Sequence, residues 1–341
     1  MWKRSRIAVV GTGAVGREVL TALADADVPS EWITVLGSER GQGEELPYGD
    51  DDSLEVERLE DDSFRGQDVV ILAVPIEHVR RLAHQAQAAG AWVIDVSPTF
   101  RLEANVPLAL PALTGGKVTP PSTGRVIATP SPVTTALALG LAPLHARFGL
   151  SRVSVTALLG ASSAGLGGVR ELEKTTADLL SGKETEPVAF PHRLAFNLVP
   201  QVGPVEPGSG YTAEELSWSD ELERLTPDWR ERPVIAGTAI QVPTFFGHML
   251  SVEVELKQDA DIEAVRAAWK GSAQVKVLDD ASERIYPMPM LVGSDPTVHV
   301  GRIRRVPAGA RRFLLVLTLD NAGRGAALTA VETAAALIGR A

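Results

Sequence analysis

The sequence predicts an α/β protein: an N-terminal Rossmann-type, doubly wound sheet, followed by an α+β substrate or dimerisation domain with a large mixed sheet. Two observations favour this class. Short apolar runs alternate with helical patterns over the first third of the chain, and longer runs of alternating polarity follow residue 150. The first pattern is typical of parallel sheets covered by helices, and the second suits antiparallel or mixed sheets.

The chain begins with a strand, a glycine turn and a helix. RIAVVGTGAVGREVLTAL combines a buried strand at 7–10, a glycine turn at 11–16 and a helical pattern through Leu23. Three more strands are predicted in EWITVLGSERG, DVVILAVP and AWVIDVSP, with a helix in VRRLAHQAQAAG. At 125–144, RVIATPSPVTTALALGLAPL predicts a further strand, a turn and a long apolar helix.

The later part of the chain predicts a second domain. GTAIQVPTFFGHMLSVEVELK and RRFLLVLTLD alternate in polarity, as expected of a sheet with one face on a helix and the other against a partner. The final helical pattern has a small-residue face suited to close packing. We therefore expect a dinucleotide-binding domain at 1–128, completed by a C-terminal helix at 321–341, and a catalytic-like or dimerisation domain at 129–320.

The composition excludes several functions. The chain has 43 acidic and 33 basic residues and a net charge of −10, which disfavours a nucleic-acid partner. It has no cysteine, so disulfides, thiolate catalysis and thiolate metal sites are excluded. No signal-peptide or membrane-span pattern is found, so we expect a cytoplasmic protein with no membrane partner. The basic run at 301–312 is either a solvated hairpin face or a contact for an anion or partner.

The glycine turn VVGTGAVG is the sharpest local pattern. Its first glycine permits a tight turn, its second lets the backbone approach a pyrophosphate, and its third lets the helix pack on the strand. Because the turn lies between the first strand and the first helix, we expect it to bind a dinucleotide; the alternative is a fold relic that binds nothing.

The end of the second strand predicts which dinucleotide is bound. An acidic residue there favours NAD, whereas serine with arginine favours the 2′-phosphate of NADP. Glu39 lies between Ser38 and Arg40, so both patterns are present, and we expect NADP. The candidate cofactor-binding residues are Gly11, Thr12, Gly13, Ala14, Val15, Gly16, Ser38, Arg40 and Asn321.

His248 is the candidate acid/base, because it follows QVPTFFG in a turn between two strand-like runs. The alternative is a histidine that only packs. The six histidines form no HExxH and no i,i+4 pair, and Asp50, Asp51 and Asp52 resemble a solvated turn rather than a calcium loop. No metal site is therefore predicted.

Two charged residues follow the buried strand in VIDVSPTFR, at the edge where doubly wound sheets bind ligands. They are Asp95 and Arg101, and Arg101 either binds an anion or caps a helix. A Ser131, His248 and Asp95 triad is disfavoured, because no GxSxG turn is present and Ser131 lies between two prolines.

These features together resemble the aspartate-semialdehyde dehydrogenase family along essentially the whole chain. Seven collinear matches are far more specific than any single motif. The resemblance implies a role in amino-acid biosynthesis, where the family makes aspartate 4-semialdehyde from aspartyl phosphate with a cysteine nucleophile and NADP(H). The matching stretches are VVGTGAVG, GSERGQG, WVIDVSPTFRLEANVPLALP, SSAGLGGVRELEKTT, FPHRLAFNLVPQVG, QVPTFFGHMLSVEVEL and LDNAGRGAALTAVE.

The resemblance also shows what is missing. The family's cysteine lies in an Asn-Pro-Asn-Cys-Ser-Thr turn that matches 129–134, so Pro132 occupies the position of the nucleophile. Proline is compatible with a first helical turn. Losing a covalent nucleophile costs roughly 10⁶ in rate. The resemblance is thus closest to the cysteine-less Usg-type paralogues and implies no phosphorylating dehydrogenase activity.

Other family positions have also changed. The family's active-site glutamine falls on Leu159, its substrate-binding arginine on Gln241 and its phosphate-binding lysine on Ser217. The glycine turn is one residue shorter than in the family. The resemblance retains His248 as acid/base, and it implies a substrate-like anion site formed by Arg101, Glu214 and Gln241.

Three hypotheses follow, and the sequence leaves open whether any reaction is catalysed. The first is a pseudoenzyme that binds NADP(H) and a small anionic ligand. The second is an NADPH-dependent oxidoreductase of different chemistry that uses His248 as acid/base. The third is a structural or regulatory homodimer, or a partner of a true family enzyme.

Overall fold

The computed structural model divides the chain into two compact units. One is Met1–Ser131 with Gly325–Ala341, and the other is Pro132–Arg324. The residues that the structure describes are 2, 4–229, 231–293, 295–307 and 309–338.

Strands and helices occur in both units. The strands are β1 (Ile7–Val10), β2 (Ile33–Gly37), β3 (Glu45–Tyr48), β4 (Asp52–Arg58), β5 (Val69–Leu72), β6 (Trp92–Asp95), β7 (Val126–Ala128), β8 (Leu150–Leu159), β9 (Val234–Gln241), β10 (His248–Leu256), β11 (Val275–Val277), β12 (Val298–Arg305) and β13 (Arg312–Leu319). The α-helices are α1 (Ala14–Asp25), α2 (Ile76–Ala88), α3 (Pro111–Thr114), α4 (Pro132–Phe148), α5 (Gly165–Leu180), α6 (Ala213–Leu225), α7 (Ile262–Arg266) and α8 (Leu328–Ile338).

The first unit contains the predicted doubly wound sheet. Within the described residues its strand order is β3-β4-β2-β1-β5-β6-β7, and every neighbouring pair is parallel except β3 with β4. All four residues of β1 and of β5 are buried, because helices cover both faces. Ile7 and Val9 pack in the cluster that contains α1 and α8, and Ala8 and Val10 pack in the cluster that contains α2.

The β3–β4 hairpin is an element that the sequence analysis did not predict. The turn expected at 50–52 occupies 49–51, and β4 already begins at Asp52. In β4 Val56 alone is fully buried, so the strand lacks the apolar alternation that signals a sheet.

The second unit contains the predicted mixed sheet. Its order over the described residues is β11-β12-β13-β10-β8-β9, with β11 parallel to β12, β8 parallel to β9 and the other pairs antiparallel. Helix α4 packs against this sheet and is buried along most of its length. Trp269 is buried beside it, and its Nε1 donates to the carbonyl oxygen of Gly140 at 2.8 Å.

The C-terminal helix starts later than the expected residue 321. A π-helical turn, Gly323–Ala327, leads into α8, and residues 339–341 of the predicted helix lie outside the described residues. The small side chains of Ala330 and Ala334 are fully buried in the first unit. They allow α8 to lie close to α1 and β6.

Candidate functional site

The glycine turn between β1 and α1 uses its three glycines differently. Gly11 has φ 107°, and a Cβ there would lie 2.2 Å from the carbonyl oxygen of Ala73. A Cβ on Gly16 would lie 1.9 Å from the carbonyl oxygen of Gly11. Beside Gly13 a Cβ would meet no atom within 4 Å. The fold itself therefore requires Gly11 and Gly16, whereas Gly13 borders open space.

The turn is suited to an anion. Gly13 is the N-cap of α1, so no side chain at the N-cap accepts from the main-chain N–H groups of the first turn. The first turn also carries no acidic residue. The helix therefore presents its partial positive charge there. Arg17 braces the turn, because its Nε donates to the carbonyl oxygen of Thr12 at 3.0 Å and its Nη2 pairs with Glu44 at 2.6 Å.

A cavity of about 470 Å³ opens beside this turn, at the carboxyl ends of β1, β2 and β5. Ligands of doubly wound sheets bind at this edge. Aliphatic side chains of several elements form an apolar lining that suits a planar base. The lining residues are Val10, Gly11, Thr12, Gly13, Leu36, Gly37, Ser38, Leu59, Ala73, Val74, Pro75, His78, Arg81 and Leu82.

Some of the predicted cofactor residues line this cavity and others do not. Ser38 does, but Arg40 is exposed and is not a lining residue. Glu39 pairs with Arg58 at 3.2 Å, on the exposed surface. Ala14 and Val15 lie in the first turn of α1, outside the lining, although their main chain belongs to the positive helix end.

Two polar residues of the lining were not predicted from the sequence. These are His78 and Arg81, which are three positions apart and therefore share one face of α2. Their location in the sequence could have indicated them, because they lie in the first turns of the helix that follows β5. That helix begins beside the ligand-binding end of the sheet.

His248 lies in the second unit as the first residue of the interior strand β10, paired with Leu159 on β8 and Leu319 on β13. It is 3% exposed, and its Nδ1 lies 3.3 Å from the main-chain N–H of Gly160. Burial lowers the pKa of His248 to about 4, and a main-chain hydrogen bond with Gly247 opposes that shift weakly. The imidazole is therefore neutral near pH 7.

Asn321 lies in the same group of residues. Its Oδ1 accepts from the Oγ of Ser162 at 2.9 Å and from the main-chain N–H of Gly247 at 3.1 Å. Asn321 and Ser162 are both buried. Asn321 thus fixes the turn that carries His248, and its role toward a cofactor stays a prediction.

Gln241 is held entirely by its own unit. Its Nε2 donates to the carbonyl oxygens of Leu159 and Gly160, both at 2.8 Å, and its Oε1 accepts from the Oγ of Ser163 at 3.1 Å. The side chain is 4% exposed. These contacts explain how the neutral amide of Gln241 stabilises the end of β8. The role of Gln241 toward an anion stays a prediction.

Pro132 is the first residue of α4, after a short buried segment that follows β7. Proline suits this position because the first N–H of a helix has no partner within the helix. The side chains of Val133, Thr134 and Thr135 in the same turn are buried. The strand-turn-helix predicted at 125–144 is therefore present, and the equivalence of Pro132 with the family's nucleophile stays a prediction.

Arg101 is buried in the first unit. Its Nε donates to the carbonyl oxygen of Thr129 and its Nη2 to that of Val96, both at 2.9 Å. Asp95 is buried nearby and accepts from the main-chain N–H groups of Ser97 and Phe100. Burial raises the pKa of Asp95, and these hydrogen bonds and the Arg101 charge oppose that rise. Arg101 therefore orders the segment that follows β7.

Glu214 lies in the first turn of α6, and its Oε1 accepts from the Nε1 of Trp218 at 3.0 Å. A capping box formed by Thr212 and Glu215 starts this helix. Ser217 donates to the main-chain carbonyl oxygen of Glu214 at 2.9 Å. Glu214 is thus rigidly placed, and its role toward a ligand stays a prediction.

Two kinds of feature are absent from the part of the chain that the structure describes. No group of three or more histidine, aspartate or glutamate side chains there is placed to hold a metal ion. No helix in the described ranges has the length and hydropathy that crossing a bilayer requires.

The glycine turn and its cavity define the first unit as a Rossmann-type domain of the nucleotide-binding class, and the second unit is an α+β domain with a mixed sheet. The model of the semialdehyde dehydrogenase NAD binding domain matches residues 6–119, and that of the semialdehyde dehydrogenase dimerisation domain matches residues 141–322. The chain belongs to the aspartate-semialdehyde dehydrogenase family.

Individual relatives agree with this assignment along their full length. The aspartate-semialdehyde dehydrogenase of Bacillus subtilis is 31% identical over 99% of this chain and 98% of its own. Among solved structures, aspartate semialdehyde dehydrogenase II of Vibrio cholerae, complexed with ASA, has a TM-score of 0.90 at 28% identity and 99% coverage of both chains. A probable aspartate-semialdehyde dehydrogenase of Pseudomonas aeruginosa has a TM-score of 0.86 at 30% identity, covering 99% of this chain and 98% of its own.

Proposed function

We propose that this protein binds NADP(H) and does not catalyse the phosphorylating dehydrogenase reaction. The observation that carries this proposal is a contrast within one chain. The glycine turn keeps open space beside Gly13, while the chain contains no cysteine, and the resemblance aligns Pro132 with the family's nucleophile. The parts that hold a nucleotide are kept, and the group that would form the covalent intermediate is absent.

The residues that line the cavity support the binding of NADP rather than NAD. Binding of NAD usually involves a carboxylate that accepts from the ribose hydroxyls. The lining residues of the cavity include no carboxylate, and Glu39 pairs with Arg58 instead. Ser38, His78 and Arg81 supply hydrogen-bond donors suited to a phosphate. When bound, the nicotinamide would supply hydride chemistry.

The remaining residues do not replace the missing thiol. Ser131 and Thr134 are fully buried, and an unactivated hydroxyl is a weak nucleophile. Gln241 already donates to two main-chain carbonyls, and a neutral amide is a poor substitute for an arginine that binds a carboxylate bidentately. Arg101 in the first unit and Gln241 in the second unit each remain a proposed contact for a small anionic group, and Glu214 remains a proposed contact for an amine.

We further propose that the protein is a homodimer. The second unit matches a dimerisation domain, and it carries large apolar side chains on its surface. Val188 is 91% exposed, Met290 is 82% exposed and Phe196 is 66% exposed. Exposure of large apolar side chains to water is unfavourable, and contact with a second copy would remove them from water.

A carbonyl reductase is the second candidate function, and one observation favours it. His248 is buried and neutral near pH 7, so it can donate one hydrogen bond to a substrate carbonyl without any thiol. A screen of aldehydes, ketones and hydroxy acids with NADPH or NADP tests this candidate. Turnover that His248→Gln abolishes would support it, and no turnover on any substrate would contradict it.

The first test of the main proposal is a calorimetric titration with NADPH and NADH in phosphate-free buffer. We expect micromolar affinity for NADPH and weaker binding of NADH. A coupled assay with aspartate semialdehyde, NADP and phosphate measures the family reaction, and we expect no activity above background. Absence of binding to both nucleotides contradicts the first part, and clear phosphate-dependent turnover contradicts the second.

A further inference from the structure

The nucleotide cavity has two chemically different walls. Its aliphatic lining includes Leu36, Leu59 and Leu82, which suit an adenine ring. Ser38 at the end of β2 and the pair His78 and Arg81 on α2 add polar groups. A nucleoside that fills this cavity would therefore have its base on apolar side chains and its ribose near hydrogen-bond donors.

The positive charge of the lining comes from α2 rather than from the end of β2. Among the lining residues, Arg81 and His78 are the titratable side chains, and neither is acidic. Arg40, which the sequence analysis favoured for this role, does not belong to the lining. The neighbouring carboxylate of Glu39 pairs with Arg58 on the exposed surface.

Arg81 is held in place without being neutralised. Its Nη1 donates to the Oε1 of Gln85 at 2.9 Å, and the Nε2 of Gln85 donates to Asp61 at 3.1 Å. The direct partner of the guanidinium is thus a neutral amide. The remaining N–H groups of the planar guanidinium, on Nε and Nη2, can donate two hydrogen bonds to one phosphate.

We propose that Arg81, assisted by His78, recognises the 2′-phosphate of the adenosine half of NADP(H), and that Arg40 contributes less. This inference rests on the proposed nucleotide binding and assigns its specificity to α2. The phosphomonoester would lie between Ser38 and the face of α2 that carries Arg81. The discrimination against NADH then comes from a helix, although the usual position for it is the end of the second strand.

The test compares ligands that differ only in the 2′-phosphate: NADPH with NADH, and 2′,5′-ADP with 5′-AMP. Arg81→Gln should weaken NADPH and 2′,5′-ADP about tenfold, because a charged bidentate contact is lost, and should leave NADH and 5′-AMP within about twofold. Arg81→Lys, which keeps the charge, should lose less than Arg81→Gln. His78→Asn and Arg40→Gln should each cause a smaller loss than Arg81→Gln.

Arg80→Gln is the matched control, since it removes the same charge from the same helix outside the cavity. Arg80 pairs with Glu103 at 2.6 Å and lies over the ring of Phe100. It should leave the NADPH to NADH ratio unchanged. Melting temperatures verify that each variant folds. If Arg81→Gln does not fold, the comparison of Arg81→Lys with the wild type still tests the role of Arg81.

The outcomes separate this inference from the proposed function. If Arg81→Gln weakened the binding of NADPH and NADH equally, the proposed role of Arg81 would be overturned. The same holds if the preference for NADPH over NADH were lost only in Arg40→Gln. Wild-type protein that binds NADPH and NADH equally would overturn it while nucleotide binding stands. Wild-type protein that binds none of the four ligands would overturn both.

Discussion

At the residue scale, the three glycines of the turn show how one motif serves two purposes. Gly11 and Gly16 are required because a Cβ at either would collide with main-chain oxygens, at 2.2 Å and 1.9 Å. Gly13 has no such neighbour. Its lack of a side chain is therefore explained by a ligand that approaches the backbone closely, as a pyrophosphate does in this motif.

Gly13→Val should therefore leave the fold intact and weaken nucleotide binding. We expect a melting temperature close to that of the wild type and an NADPH affinity at least about tenfold lower, because the side chain occupies the space of the pyrophosphate. Calorimetry and thermal melting measure the two effects. Gly16→Ala is the contrasting variant, and overpacking should destabilise it by about 1–3 kcal/mol. Gly13→Val that binds NADPH normally would contradict this account of the turn.

Pro132 allows a test of how much chemistry has been lost. Pro132→Cys places a thiol at the first residue of α4, while Gln241 and Leu159, which the resemblance aligns with the family's arginine and glutamine, are unchanged. We expect no phosphate-dependent reduction of NADP with aspartate semialdehyde, because substrate orientation is missing as well as the nucleophile. Pro132→Ser is the control. Family-level activity in Pro132→Cys would show that the thiol alone was absent.

His248 should make the stability of the fold depend on pH. Its pKa is about 4 in the folded protein and near 6.5 when unfolded, so protons bind the unfolded chain more tightly. The contribution of neutral His248 to the free energy of unfolding is therefore fully present above pH 6.5. It decreases as the pH drops, by on the order of 3 kcal/mol at pH 4. Urea unfolding of wild type and His248→Gln should show a smaller pH dependence in the variant. The exposed His192→Gln should behave as wild type; identical pH profiles for all three would contradict the shift.

At the scale of elements, Gln241 joins the ends of β9 and β8. Its amide donates to the carbonyl oxygens of Leu159 and Gly160, just before the segment that supports His248. Gln241→Leu should cost about 1–2 kcal/mol of unfolding free energy, because buried hydrogen bonds are lost without a replacement. Urea titration measures this cost, and the exposed Gln201→Leu should change it by less than about 0.5 kcal/mol. Equal effects of the two variants would show that the amide has no structural role.

The sequence predicted the elements whose apolar patterns are clear and missed those defined by few buried residues. The strand at 7–10, its glycine turn and the mixed character of the second sheet are confirmed. The β3–β4 hairpin was missed because Val56 is the only fully buried residue of β4. At the cavity, Ser38 was identified, whereas His78 and Arg81 were not, because only the packing of α2 beside the sheet edge brings them to the lining.

At the scale of the whole molecule, the chain has its family's domain architecture and contains no cysteine. Full-length similarity at about 30% identity accompanies the absence of cysteine. The buried side chains that maintain the two sheets do not include a cysteine, so the fold does not depend on one. Fold-level similarity therefore supports nucleotide binding and assembly more directly than catalysis.

Assembly gives the last prediction. Analytical ultracentrifugation at micromolar concentration should give twice the mass of one chain, because Val188, Phe196 and Met290 would otherwise expose their apolar side chains. Phe196→Asp should raise the dissociation constant of the dimer at least about tenfold, since a charge in an apolar contact is costly. Leu102→Asp alters a half-exposed leucine of the first unit and should leave the mass unchanged. A wild-type protein with the mass of one chain would exclude the homodimer, and equal dissociation by both variants would move the contact away from the second unit.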